Sequence, residues 1–131
     1  MSEDTVPIEA PQPSQLYLDA EKVASVLSWM DLNNPRYEPL PTLDLYGDLV
    51  LMDGHTRAFV AHLAGAERIR LDVRSSTGWD DPNVPLYREC VRWCREEGLT
   101  EIGDLVGRVL DPDVFRDRWI ERCHDSPLYG E

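Results

Sequence analysis

Five consecutive polar residues, Asp53-Gly54-His55-Thr56-Arg57, separate the apolar run Leu49-Val50-Leu51-Met52 from Ala58-Phe59, where a helical pattern begins. A strand that breaks into a helix start presents unpaired backbone N–H groups and the positive end of a helix dipole, an arrangement suited to phosphate. The side chains add to this. Gly54 permits close backbone approach, Thr56 can cap the helix or donate to phosphate, and Arg57 offers a planar fork for two oxygens. His55 has the chemistry to donate or exchange a proton near neutral pH. Asp53 would repel an anion unless it holds a divalent metal, orients the arginine or accepts a proton from a substrate. The catalytic candidates are therefore Asp53 and His55, the phosphate-binding candidates Gly54, His55, Thr56 and Arg57, and the metal candidate Asp53. The plainer reading is that Asp-Gly is turn chemistry, Thr56 an ordinary cap and Arg57 the partner of a nearby carboxylate.

Other residues are weaker candidates. Glu21 and Glu38 are the carboxylates available as a separate general base, although spacing secures neither. Trp79 lies in a Gly- and Pro-bearing stretch and could stack on a base, or anchor its own loop; Tyr37 is a second aromatic of this kind. Trp29, Trp93 and Trp119 fall on helical patterns and are expected in the core, while His62 is expected at the surface or in packing. Cys90 and Cys94 stand one helical turn apart and Cys123 precedes His124. An i, i+4 pair interleaved with Val91 and Trp93 suits core packing better than zinc, whose structural ligands converge at a turn, so no zinc is expected.

With 131 residues and 42% hydrophobic content the chain suits one domain with one core. Acids outnumber bases by 25 to 13, for a net charge of −12, which argues against nucleic acid as the main ligand. Solubility is the simplest reason for most of the surface carboxylates, and a small phosphorylated ligand at a local helix terminus is compatible with them. Three cysteines fit a reducing compartment better than a disulfide framework. No apolar run is of membrane-spanning length and the N-terminus is not that of a signal peptide, so the expected location is the cytoplasm.

The elements that must hold the polar loop follow from periodicity. Residues 1–14, with Pro7, Pro11 and Pro13 among acids, read as a flexible tail. A short strand at 15–18 leads to Asp19, a cap for a helix to about Met30 with Val23, Val26, Leu27 and Met30 on one face. Strands at 42–46 and 49–52 form a hairpin closed by Gly47-Asp48. The helix after the polar loop runs from about Thr56 to Ala64 and stops at Gly65, before alternating Ile69, Leu71 and Val73. Residues 74–84 read as a loop, 85–124 as helices packed on the same domain, and 125–131 as a tail. In the C-terminal part, Tyr87, Cys90, Val91 and Cys94 share one helical face. Ile102, Leu105, Val106 and Val109 share another, and Asp111-Pro112 starts a last helix carrying Phe115, Trp119 and Cys123.

Asp53-Gly54-His55-Thr56-Arg57-Ala58-Phe59, followed by Ala61-His62-Leu63-Ala64-Gly65 and the strand Arg68-Ile69-Arg70-Leu71, resembles the D-G-H-x-R signature of the ParB/sulfiredoxin superfamily over roughly residues 15–73. The resemblance implies an α+β fold, a small mixed sheet packed with helices, here with a C-terminal helical extension. It implies a nucleotide (ATP, ADP or CTP) with Mg²⁺ at the strand-to-helix loop. Sulfiredoxin chemistry is not expected, because His55 stands where that enzyme's reactive cysteine would align. The helix-turn-helix and dimerisation domains of chromosome-partitioning ParB proteins are not evident. Free serine kinases resemble this chain in the loop, but their larger C-terminal region is missing or reduced. The expected function is binding of a phosphate-bearing small molecule, extending to a phosphotransferase or nucleotide hydrolase. The alternative is a non-enzymatic protein–protein interaction module that keeps the motif as a structural turn, its partner another protein; an acidic DNA mimic is a weaker third reading.

Overall fold

The computed structural model describes residues 3–45, 48–75 and 84–126, so the tip of the hairpin at Gly47, Trp79 and residues 127–131 lie outside the described part. Strands β1 (Glu3–Pro7), β3 (Leu40–Leu45), β4 (Asp48–Leu51) and β5 (Arg68–Ser75) form a mixed sheet in the order β1-β5-β3-β4. β3 runs parallel to β5, with Leu40 opposite Leu71, and antiparallel to β4, with Leu43 opposite Val50. A second, two-residue parallel pair joins β2 (Leu18–Asp19) to β6 (Val109–Leu110). The helices are α1 (Ala20–Trp29), α2 (His55–Leu63) and α3 (Val84–Glu96), then a segment from Pro112 to Asp125 made of α4 (Pro112–Phe115), a π-helical turn and α5 (Glu121–Asp125). The fold is α+β, and among the described residues no helix is long and apolar enough to cross a membrane.

Leu16, Leu18, Leu40, Leu51, Val60, Ile69 and Leu71 from the first part of the chain share one buried cluster with Cys94, Leu99, Ile102, Leu105, Phe115 and Trp119 from the second. The C-terminal helices thus complete the core of the sheet, since their single apolar faces have no other surface to cover.

Residues 3–14 do not form the expected tail. β1 pairs antiparallel with β5, Ile8 is buried, and Gln12 bridges to Val50 beside β4. The Gln12 N–H donates to the Leu49 carbonyl at 2.8 Å and its carbonyl accepts from the Leu51 N–H at 2.9 Å. Prolines fit on either side because the bridge asks nothing of their missing N–H groups. The buried Gln12 side chain donates to the Pro13 and Leu99 carbonyls at 2.9 and 2.8 Å and accepts from Arg95 Nε at 3.2 Å. Composition concealed this order because hydrogen bonds, not apolar area, hold much of the segment.

Two further expectations need correction. Trp29 is 52% exposed and Leu27 43%, whereas Val23, Val26 and Met30 are buried. At about 100° per residue the buried three lie within a narrow arc that Trp29 and Leu27 flank on opposite sides. The stretch carrying Ile102, Leu105, Val106 and Val109 is a 3₁₀ turn over Ile102–Leu105 followed by β6, with Val106 60% exposed. Gly98 and Gly107, at φ of +80° and +85°, end helical geometry on either side. The α1 cap is as expected: the Asp19 carboxylate accepts from the Glu21 N–H at 2.8 Å.

Candidate functional site

The apolar strand β4 ends at Leu51, and the chain turns through Met52-Asp53-Gly54 into α2, whose N-cap is Gly54. Gly54 sits at φ +83°, and a Cβ there would lie 2.7 Å from Leu40 Cδ2 and 3.0 Å from Arg57 Nη2. Only glycine fits this corner, because backbone conformation and close neighbours both exclude a side chain. The same contact shows that the Arg57 side chain folds back over the turn, bringing its guanidinium to the start of its own helix.

Asp53, Gly54, His55, Thr56 and Arg57 all border one cavity of about 330 Å³. Its other wall is α1, through Lys22, Ser25, Val26 and Trp29, with Gln15 at the margin. Lys22 and Ser25 escaped notice in the sequence, from which Trp29 is expected in the core; the signal was their i, i+3, i+7 spacing beside the apolar face of α1. Glu21 and Glu38 do not border the cavity. Tyr37 is engaged elsewhere: its hydroxyl accepts from the Arg70 N–H at 3.3 Å and its carbonyl from the Arg70 guanidinium at 3.1 Å. His62 packs its ring against Gly103.

The amides of the turn are divided between internal and open uses. The Asp53 carboxylate accepts the Gly54 N–H at 2.8 Å, so that group is taken. Thr56 and Arg57 lie in the first turn of α2, where N–H groups have no intrahelical acceptor. Among the described residues Asp53 is the one carboxylate bordering the cavity, with an exposed side chain. Among the described residues no group of three or more His, Cys, Asp and Glu converges as a metal site. The single Asp53 carboxylate at the cavity is compatible with Mg²⁺, which commonly takes one or two carboxylates and completes its shell with phosphate and water.

His55 differs from its expected role. It is 3% exposed, and its Nε2 accepts the Ser14 N–H at 2.9 Å. Burial lowers its pKa from 6.5 to about 4, against the opposing influence of the Asp53 carboxylate. The imidazole is therefore neutral at pH 7, because the interior penalises its charged form. With Nε2 an acceptor, the proton sits on Nδ1. That Nδ1–H is fully buried and has no hydrogen-bond partner among the described residues.

A larger cavity of about 580 Å³ lies between β4 and α3, bordered by Arg88, Arg92 and Arg95. It is a poorer candidate because its cations are already matched: Arg92 pairs with Glu89 and Glu96, and Arg95 with Asp48 and Gln12. Cys90 and Cys123 are in hydrogen-bond contact beside the core, and Cys94 is fully buried.

No protein-family model matches the chain, and no curated protein matches it in sequence. The crystal structure of protein Atu1540 from Agrobacterium tumefaciens is similar in fold, with a TM-score of 0.55 at 14% sequence identity. The match covers 86% of this chain and 64% of that one, so this chain spans under two thirds of its structural relative. The likeness extends to the α+β architecture and, at this identity, to nothing further.

Proposed function

We propose that the cavity at Asp53–Arg57 binds a phosphate-bearing small molecule, a nucleotide with Mg²⁺, through the first turn of α2. The observation that carries this reading is the convergence of the α2 N-terminus and two cations, Arg57 and Lys22, on one cavity. The open amides of a first helical turn and a guanidinium folded over them are donors that suit an anionic oxygen. The resemblance of Asp53 to Leu71 to the ParB/sulfiredoxin signature supports the same assignment.

In this reading Arg57 and the Thr56 and Arg57 amides hold phosphate, Thr56 supplies a hydroxyl, and Asp53 is the ligand for Mg²⁺. The ion would supply charge neutralisation on the phosphate oxygens. His55 is a positioning residue, its ring held at the start of α2 by the Ser14 N–H. In phosphotransfer or nucleotide hydrolysis Asp53 would meet the acceptor hydroxyl or water instead of the ion, since the one acceptor nitrogen of His55 is occupied by the Ser14 N–H. The free thiols of Cys90, Cys94 and Cys123 accord with a cytoplasmic setting. Calorimetric titration with MgATP, MgADP and MgCTP of the wild type and Arg57→Ala tests the proposal. Loss of at least tenfold in affinity in the variant is expected; equal affinity in both proteins, or binding in neither, overturns it.

A further inference from the structure

We infer that the exposed face of α1 reads the nucleoside half of the ligand, with the Trp29 indole as the surface on which its base stacks. This inference rests on the proposed phosphate site and adds the other end of the molecule. Trp29 ends α1, is 52% exposed, borders the same cavity as Arg57, and has no aromatic partner among the described residues. A single exposed apolar side chain needs no explanation, but an indole forming the wall of a cation-bearing cavity is placed as a stacking platform is. Lys22 and Trp29 are seven residues apart on one helix, so they lie nearly on one line, separated by about 10.5 Å along the axis. Ser25 stands between them on the same wall. A cation at one end, a hydroxyl between and an aromatic plane at the other match phosphate, sugar and base in that order. The ligand class is accordingly a nucleoside di- or triphosphate, not bare phosphate or a sugar phosphate.

Stacking of a base on an aromatic side chain contributes about fivefold to a hundredfold in affinity and tolerates any base. The test compares Mg²⁺ complexes of ATP, ADP and inorganic tripolyphosphate on the full chain, by calorimetry, for wild type, Trp29→Ala, Trp29→Phe and Arg57→Ala. Trp29→Ala is expected to weaken ATP and ADP at least fivefold and leave tripolyphosphate unchanged. Trp29→Phe should restore most of the loss, and Arg57→Ala should weaken all three. Nucleotides should also quench tryptophan fluorescence in the wild type more than in Trp29→Phe. Equal nucleotide affinity in wild type and Trp29→Ala, or tripolyphosphate bound as tightly as ATP by the wild type, overturns the inference while leaving the phosphate site standing. Absence of binding by all three compounds overturns both.

Discussion

The backbone N–H of Ser14 donates to Nε2 of His55 at 2.9 Å, joining two residues 41 positions apart in a buried hydrogen bond. The Ser14 hydroxyl is anchored in turn on the Leu51 carbonyl at 2.6 Å, the last residue of β4. The N-terminal segment therefore sets the tautomer of the histidine at the start of α2. Replacing His55 with Leu keeps bulk but removes the acceptor from a buried amide. A loss of about 1–3 kcal/mol is expected in urea denaturation, and an unchanged midpoint would show that the bond contributes nothing.

The same burial makes stability depend on pH in a defined window. Folded His55 titrates at about 4 and the unfolded residue at 6.5, so below 6.5 the unfolded state binds a proton that the folded state refuses. The contribution of His55 is complete above pH 6.5, falls as pH drops from 6.5 to 4, and is constant below 4. The full difference is about 3 kcal/mol. Stability of the wild type measured between pH 7 and 4 should carry this slope, and His55→Leu should lack it; parallel profiles would sink the assignment.

Gly54→Ala introduces a Cβ 2.7 Å from Leu40 Cδ2 and 3.0 Å from Arg57 Nη2 at a positive φ. The expected result is a destabilisation of roughly 1–3 kcal/mol together with weakened nucleotide binding, because the arginine must swing away from the turn. Thermal unfolding and calorimetry on one preparation check the two effects. A fully stable variant with wild-type affinity would contradict the crowding.

Removing residues 1–14 deletes β1, the buried Ile8 and the Gln12 bridge to Val50. A chain starting at Gln15 should lose at least about 3 kcal/mol and expose the edge of β4 to other strands. Denaturation and light scattering read the outcome. Undiminished stability would mean that this segment is the tail its composition suggested.

The cysteines should react with a thiol reagent in a fixed order. A hydrogen bond from Cys90 holds the half-buried Cys123 below its ordinary pKa, with the Arg122 charge assisting, and the same bond and burial push Cys90 up. Burial pushes Cys94 up to about 12. Cys123 should label first in the native protein, ahead of the buried Cys90 and Cys94, as followed by mass spectrometry. Labelling of Cys94 before Cys123 would contradict the packing.

The strand-loop-helix run from Leu49 to Ala64 was legible in the sequence because each residue's local preference agrees with its place: an apolar strand, a glycine corner, then a helix ending before Gly65. Asp19 as a cap and the alternation of Ile69, Leu71 and Val73 were legible for the same reason. Tertiary structure alone decided what depended on distant partners. Ser14 and Gln12 are ordered by hydrogen bonds to residues far along the chain, so no local pattern marks them. His55 is a polar residue in a polar run, and only the packing around it makes it neutral. Lys22 and Trp29 became neighbours of Arg57 because α1 lies against α2, a placement dictated by which faces of the two helices must leave water.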